Sequence, residues 1–224
     1  MNTANPGPGV IDVISDVICP WCYIGKRHLE QALPVLADEG LAFTVAWHPF
    51  QLNPDMPQAG VERTEYRRVK FGSAERSAEM DRRVAEAGAA VGLSIRHDLM
   101  RRTPNTVAAH RVIWLAGRHG VQGTVVDRLF QGYFTEGADV GDPATLAALA
   151  FEGGLPVEVT TAMLAGEEGR QEVIGADEIA RRSGLNGVPT FTILGHVLFS
   201  GAVPTDVMAE AFGKAWRILS ARAA

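Results

Sequence analysis

The sequence predicts an α/β protein in which a β-α-β unit and a β-β-α unit are separated by a large, all-helical insertion. Three observations carry that expectation. Val10, Ile11, Val13, Ile14 and Val17 form an apolar run that alternates too little for a surface strand, while Leu41 to Trp47 alternates as a second strand. From about Val61 the pattern turns helical for more than a hundred residues. After it, Asn186-Gly187-Val188-Pro189-Thr190-Phe191-Thr192-Ile193-Leu194 returns to strand character. The expected division assigns residues 10–60 and 184–224 to the α/β part and residues 61–183 to the helical insertion.

Taken in order, a helix is expected after Cys19, with Leu29, Ala32, Leu33 and Leu36 on one face. Pro34 lies inside it and should kink or divide it, and Gly40 should end it as a left-handed cap. Strand, helix and strand within so short a span form a parallel β-α-β unit. In the insertion, helices are expected over 62–71 and 74–91. Pro104 suits the first position of a helix carrying Val107, Arg111, Trp114 and Leu115. Val125, Leu129 and Tyr133, beside Val126, Phe130 and Phe134, give a broad apolar face. Asp142-Pro143 opens a helix over 143–152, Pro156 opens another, and a last one spans 168–183 before Gly184. Gly195-His196 reads as a hairpin turn before Val197-Leu198-Phe199. A final helix over 204–221 should bury Val207, Met208, Ala211, Phe212, Ala215, Trp216 and Leu219.

Composition narrows the function classes. Of 224 residues, 46% are hydrophobic and 21% charged, ordinary values for a globular enzyme. The formal net charge of −5 gives no reason to expect nucleic acid or an anionic membrane as partner. No apolar run approaches the ~20 residues of a bilayer span. Met1 to Gly9 has neither a basic nor an apolar signal region and reads as a disordered leader, so a cytoplasmic location is expected.

The chain contains only two cysteines, and both lie in Ile18-Cys19-Pro20-Trp21-Cys22-Tyr23, between the first strand and the first helix. Two thiols three positions apart at a helix start can close a disulfide with little backbone movement. Free N–H groups and the positive end of the helix dipole favour the thiolate of the first. A structural disulfide is disfavoured in the cytoplasm, which leaves redox chemistry, half of a zinc site, or two inert thiols. A zinc site needs two further ligands. There is no second Cys-x-x-Cys or His-x-x-x-His, and the six histidines are scattered singly, so no metal is expected. Arg67-Arg68 and Arg101-Arg102 read as solvated charge, and His48 as a structural histidine.

A strand, a Cys-x-x-Cys at the next helix start, and a Val-Pro-Thr before a β-β-α unit together resemble the thioredoxin fold. The helical insertion resembles the DsbA family in particular. Within it, SDVICPWCYIGKRHLEQAL, WHPFQLNPDMP, RRTPNTVAAHRVIWLA and GLNGVPTFTILG are similar to the FrnE-like cytosolic branch of dithiol–disulfide oxidoreductases. That branch is related to 2-hydroxychromene-2-carboxylate isomerases and kappa-class glutathione transferases. The resemblance spans about residues 10–220. It implies that Cys19 is the nucleophile, Cys22 the resolving thiol, and Pro20 and Trp21 the pair that tunes the couple. It implies a cis Val188–Pro189 bond, with Val188 backbone groups free to pair with an extended substrate peptide. Where strongly oxidising DsbA enzymes have a histidine beside the second cysteine, this chain has Trp21, whose neutral indole adds no cationic stabilisation of a thiolate.

By the same resemblance, Asn105 could hydrogen-bond a thiol substrate and Arg111 attract its carboxylate. No metal or organic cofactor is then required, glutathione enters only as reductant or co-substrate, and the partner is a thiol- or disulfide-containing peptide, protein or small molecule. Relatives include dimers, and apolar helix faces in the insertion would permit a homodimer. The alternative is a glutathione-dependent isomerase or transferase, although those relatives carry a serine where Cys19 stands.

Overall fold

The computed structural model describes residues 9–223, so the expected leader lies outside the described residues except for Gly9, which already belongs to the first strand. β1 (Gly9–Ser15) and β2 (Phe43–Pro49) are joined by α1 (Pro20–Asp38) and pair in parallel, Val13 opposite Trp47. β5 (Thr190–Ile193) and β6 (His196–Ser200) complete a mixed sheet of order β2-β1-β5-β6, closed by α9 (Thr205–Ala223). β1 pairs with β2 on one side and antiparallel with β5 on the other. β1 is thus a central strand whose inward face, Ile11 and Val13, is fully buried, while Val10 on the opposite face stays 43% exposed; burial reaches both faces only at its end, with Ile14 and Ser15.

Between the halves lie α2 (Arg63–Phe71), α3 (Ala74–Ala90), α4 (Val107–Arg118), α5 (Gln122–Gln131), α6 (Pro143–Glu152), α7 (Val157–Ala165) and α8 (Arg170–Arg182). Buried side chains of α3 to α7 join those of the sheet in one apolar core, while Ala180 of α8 packs with Ile14 and Phe50 in a smaller second cluster. A stacked group crosses the junction: Tyr23 of α1 lies 5.2 Å from Phe130 and 5.8 Å from Phe134, ring centre to ring centre. Phe134 belongs to a single π-helical turn, Gly132–Glu136, that continues α5. The outer edge of β2 is not left bare. The Gln122 side chain accepts from the Trp47 N–H at 2.9 Å and donates to the Trp47 carbonyl at 3.1 Å, taking the place of a neighbouring strand.

Local structure departs from the sequence-based expectation at several points. Pro34 does not divide α1, which runs unbroken through it with the proline on its exposed side. Gly40 does end that helix at φ 78°, and the Leu41 N–H reaches the Leu36 carbonyl. Pro104 does not open α4. Arg102–Thr103 forms a short strand, β4, against Val61–Glu62, β3, and the Asn105 carboxamide then accepts from the Val107 N–H, so the helix starts three residues later. The β5–β6 turn is Leu194-Gly195, with φ 50° and 77°, the positive φ at both positions that a type I′ two-residue hairpin requires; His196 already belongs to β6. On α9 the inward stripe is Met208, Phe212 and Trp216, which turns Val207 outward to 48% exposure.

Phe130 is fully buried at the junction of sheet and helices. Its replacement by alanine is expected to cost about 3–5 kcal/mol in urea unfolding, with one cooperative transition retained.

Candidate active site

α1 begins where β1 must leave the sheet, and the link is organised by a buried carboxylate. Asp16 is wholly buried; its Oδ2 accepts from the Leu52 N–H at 2.7 Å, its Oδ1 lies 3.4 Å from His110 Nε2, and its backbone carbonyl accepts from the Cys19 N–H at 3.0 Å. His110 Nε2 also lies 3.2 Å from the Phe50 carbonyl, so a proton on that nitrogen serves both acceptors. One side chain thus fastens the active-site link to the segment after β2 and to α4.

Cys19 is the N-cap residue of α1, extended at φ −89° and ψ 112°, with Pro20 at the first helical position. Cys22 follows one turn in, its N–H donating to the Cys19 carbonyl at 3.0 Å. Both are free thiols and both are buried, Cys19 4% and Cys22 1% exposed, while Trp21 between them is 36% exposed. Burial raises the Cys22 thiol pKa well above its ordinary value, and the adjacent Cys19 raises it further. The Asp16 N–H and the Ser15 hydroxyl act in the opposite direction.

Opposite the thiols, the Val188–Pro189 peptide is cis, and the Cys19 thiol donates to the Val188 carbonyl at 3.5 Å. The turn is held by Thr190, whose hydroxyl reaches the Gly187 carbonyl at 2.9 Å and the Ser200 hydroxyl at 2.7 Å. α1 approaches this turn at Gly25. A Cβ there would meet Pro189 Cγ at 3.0 Å and Phe191 Cζ at 3.4 Å.

A cavity of about 310 Å³ opens beside Cys19, between the active-site turn, α2, α3 and the π-helical turn. Its wall is largely apolar, including Trp21, Phe71, Met80, Met100 and Phe134. The cationic part comes from α2, with Asp81, His97, Thr103 and Tyr133 adding polar groups from elsewhere. Arg63 grips both oxygens of Asp81 at 2.9 and 3.0 Å, Arg67 reaches the same carboxylate at 2.7 Å, and Lys70 donates to the Tyr66 hydroxyl at 2.7 Å. His97 lies 3.5 Å from Asp81; burial holds its pKa below the ordinary value against the opposing pull of Asp81, with the two arginines adding to the lowering. Burial likewise raises the Tyr133 phenol.

Arg67 is therefore not solvated charge. It lines the cavity with its side chain 15% exposed. Arg63, Arg67 and Lys70 recur at i, i+4 and i+7, one face of a helix, and that spacing was the available signal in the sequence.

The structure brings Cys19, Pro20, Trp21 and Val188 to the cavity wall, with Cys22 and Pro189 behind them, but not Asn105 or Arg111. Arg111 is buried, its guanidinium donating to the carbonyls of Glu168 at 2.7 Å and of Met163 and Gly166 at 2.6 Å. It ties down the end of α7 and does not line the cavity beside Cys19. Asn105 donates to the Met56 carbonyl at 2.7 Å and accepts from Val107, so both ends of its amide are engaged. His48 pairs with Asp12 at 2.8 Å on the outer face of the sheet. Among the described residues no group of three or more His, Cys, Asp or Glu side chains is placed to hold a metal, and no helix is long and apolar enough to cross a membrane.

A parallel β-α-β and antiparallel β-β-α sheet, with a dithiol at the first helix start and a cis-proline across from it, defines a thioredoxin-fold dithiol protein. The chain belongs to the DSBA-like thioredoxin domain family, whose profile matches residues 10–213. It is 27% identical over 209 residues to YwbO of Bacillus subtilis, a protein described as uncharacterized, covering 90% of this chain and 94% of that one. Among solved structures, the probable DsbA oxidoreductase SCO1869 of Streptomyces coelicolor is similar at 29% identity and a TM-score of 0.83, covering 93% of this chain and 90% of that one. The cytosolic disulfide reductase DsbM of Pseudomonas aeruginosa, also solved with GSH, shares the fold at 20% identity and a TM-score of 0.62, covering 96% of this chain and 100% of that one.

Two glycine substitutions separate close packing at the site from helix propensity alone. Gly25→Ala is expected to lower stability by about 1–3 kcal/mol through overpacking against Pro189. Gly123→Ala, in α5 with nothing within 4 Å of the added methyl, should raise it by up to about 1 kcal/mol. Thermal unfolding of both variants measures the contrast.

Proposed function

We propose that this protein is a dithiol–disulfide oxidoreductase working through a mixed disulfide at Cys19. The observation that carries the reading is the placement of Cys19: N-cap of α1, facing the Val188 carbonyl, on the wall of a cavity, with Cys22 one turn behind. In the first step the Cys19 thiolate attacks one sulfur of a substrate disulfide, forms the Cys19–substrate bond, and releases the other half as thiolate. In the second, the Cys22 thiolate attacks Cys19 sulfur and releases the remaining half. The protein dithiol loses two electrons, the substrate disulfide gains them, and the two cysteine protons end on the released thiols. Neither step needs a metal or an organic cofactor. The reverse sequence oxidises a substrate dithiol.

Trp21 supports a couple that is not strongly oxidising, since it adds no positive charge near the thiols. With just two cysteines in the chain, both at this site, the reading places the protein in a reducing cytoplasm, where a thiol such as glutathione is the natural reductant. The GSH complex of DsbM supports that choice. An isomerase that borrows its thiol from bound glutathione would have no use for Cys22, and the presence of both thiols favours exchange.

The test uses the purified reduced protein and a mixed-disulfide trap. Cys22→Ser should accumulate a covalent adduct at Cys19 visible by mass, and Cys19→Ser should form none and lose turnover by more than about a hundredfold. Equal turnover in wild type and Cys19→Ser would sink the reading. Closure of the mixed disulfide waits on deprotonation of a buried thiol whose pKa is raised. Its single-turnover rate should therefore rise with pH through the neutral and mildly alkaline range, because below the pKa of the buried thiol the thiolate fraction grows in proportion to hydroxide. A flat rapid-mixing profile over that range would show that Cys22 ionisation does not limit closure.

A further inference from the structure

We propose that the group carried on Cys19 is a small thiol bearing negative charge, held by Arg63, Arg67 and Lys70, and that Asp81 sets how strongly the cavity attracts it. The proposal rests on the exchange reading above and adds the class of substrate. Three cationic side chains of α2 line the cavity against the single carboxylate of Asp81, and burial of His97 disfavours a further positive charge there. Arg63 and Arg67 are only 14% and 15% exposed, so water screens them less than it would a surface arginine.

Their hydrogen bonds leave capacity. The bonds of Arg63 to Asp81 use one terminal nitrogen, and Arg67 is held by Ser77 at 2.7 and 2.9 Å and by Asp81. Each guanidinium carries five N–H donors, so both keep donors beyond those bonds. Lys70 is exposed at the rim, where its ammonium keeps donors beyond the one given to Tyr66. The walls around this cationic strip are apolar, suiting the carbon skeleton of the same ligand. An enclosure of about 310 Å³ between two helices and the active-site turn is sized for a small molecule rather than for a folded partner. Asp81 acts as the internal counter-charge: it pre-orders both arginines and leaves the cavity positive but not fully so.

The reaction is the first exchange step above, with the anionic thiol either left on Cys19 or released as thiolate, and it requires no further oxidant in a single turnover. The experiment compares three small symmetric disulfides with the reduced full chain: dithiodipropionate (two carboxylates), bis(2-hydroxyethyl) disulfide (neutral) and cystamine (two ammonium groups). Each rate of Cys19 modification, read by alkylation and mass, is divided by the rate at which free mercaptoethanol attacks the same disulfide, which removes intrinsic reactivity.

The expected order is carboxylate, then neutral, then ammonium, with the spread shrinking as salt rises. Lys70→Gln and Arg67→Gln should each lower the carboxylate-to-ammonium ratio by roughly three- to tenfold, and Asp81→Asn should raise it. Opposite movement by neighbouring variants is not what general damage to the fold produces. Should Arg67→Gln fail to fold, the exposed Lys70 carries the test. Equal normalised rates, a ratio unmoved by Lys70→Gln, or faster reaction with an acidic peptide disulfide than with dithiodipropionate would overturn the proposal. Failure of all three disulfides to oxidise the protein would overturn the exchange reading itself.

Discussion

The site depends on one contact, the seating of the first turn of α1 against the Val188–Pro189 turn. Cys19 has to be a helix N-cap, so that its backbone is extended while Cys22 is already helical, and it has to face the Val188 carbonyl at 3.5 Å. Both conditions hold only because α1 can approach the proline turn where Gly25 has no Cβ. The order β2-β1-β5-β6 puts the end of β1 beside the start of β5, so a sheet register of a few residues decides whether thiol and proline meet.

Burial of Asp16 extends the same logic outward. A carboxylate with no solvent exposure must be met by donors, and it is met from three directions: Leu52 after β2, His110 of α4, and more loosely Ile18 in its own turn. The link between β1 and α1 therefore cannot shift without disturbing the helical block. Asp177 repeats the device, accepting from the Gln51 N–H at 2.8 Å and from Arg181, whose guanidinium also stacks 4.3 Å over Phe50. Helices that look like an insertion in the chain are anchored by buried polar bonds to the segment leading out of β2. Through Phe134 and α2 they supply the wall of the cavity that Cys19 faces.

Much of this was legible in the sequence. Apolar runs and their spacing place β1, β2, α2, α3 and α6 within about two residues, because those elements are specified by local propensity and caps such as Asp142. The strand-paired Arg102–Thr103 was not legible, since its two residues carry no pattern and form a strand only against Val61–Glu62. Nor was the fate of the arginines. Arg111 has the composition of a ligand contact and serves three carbonyls; Arg67 has the composition of surface charge and lines the cavity.

By itself, then, the sequence determined the fold class, the dithiol at a helix start and the identity of the proline, because each is written in contiguous residues or in the order of elements. Which cations line the cavity beside Cys19, which carboxylate balances them, and which polar residues are consumed in holding helices together were decided by tertiary structure alone. A side chain's partner depends on packing between segments distant in the chain, and Asp81, Arg63 and His97 meet beside Cys19 only after the helices have closed over the sheet.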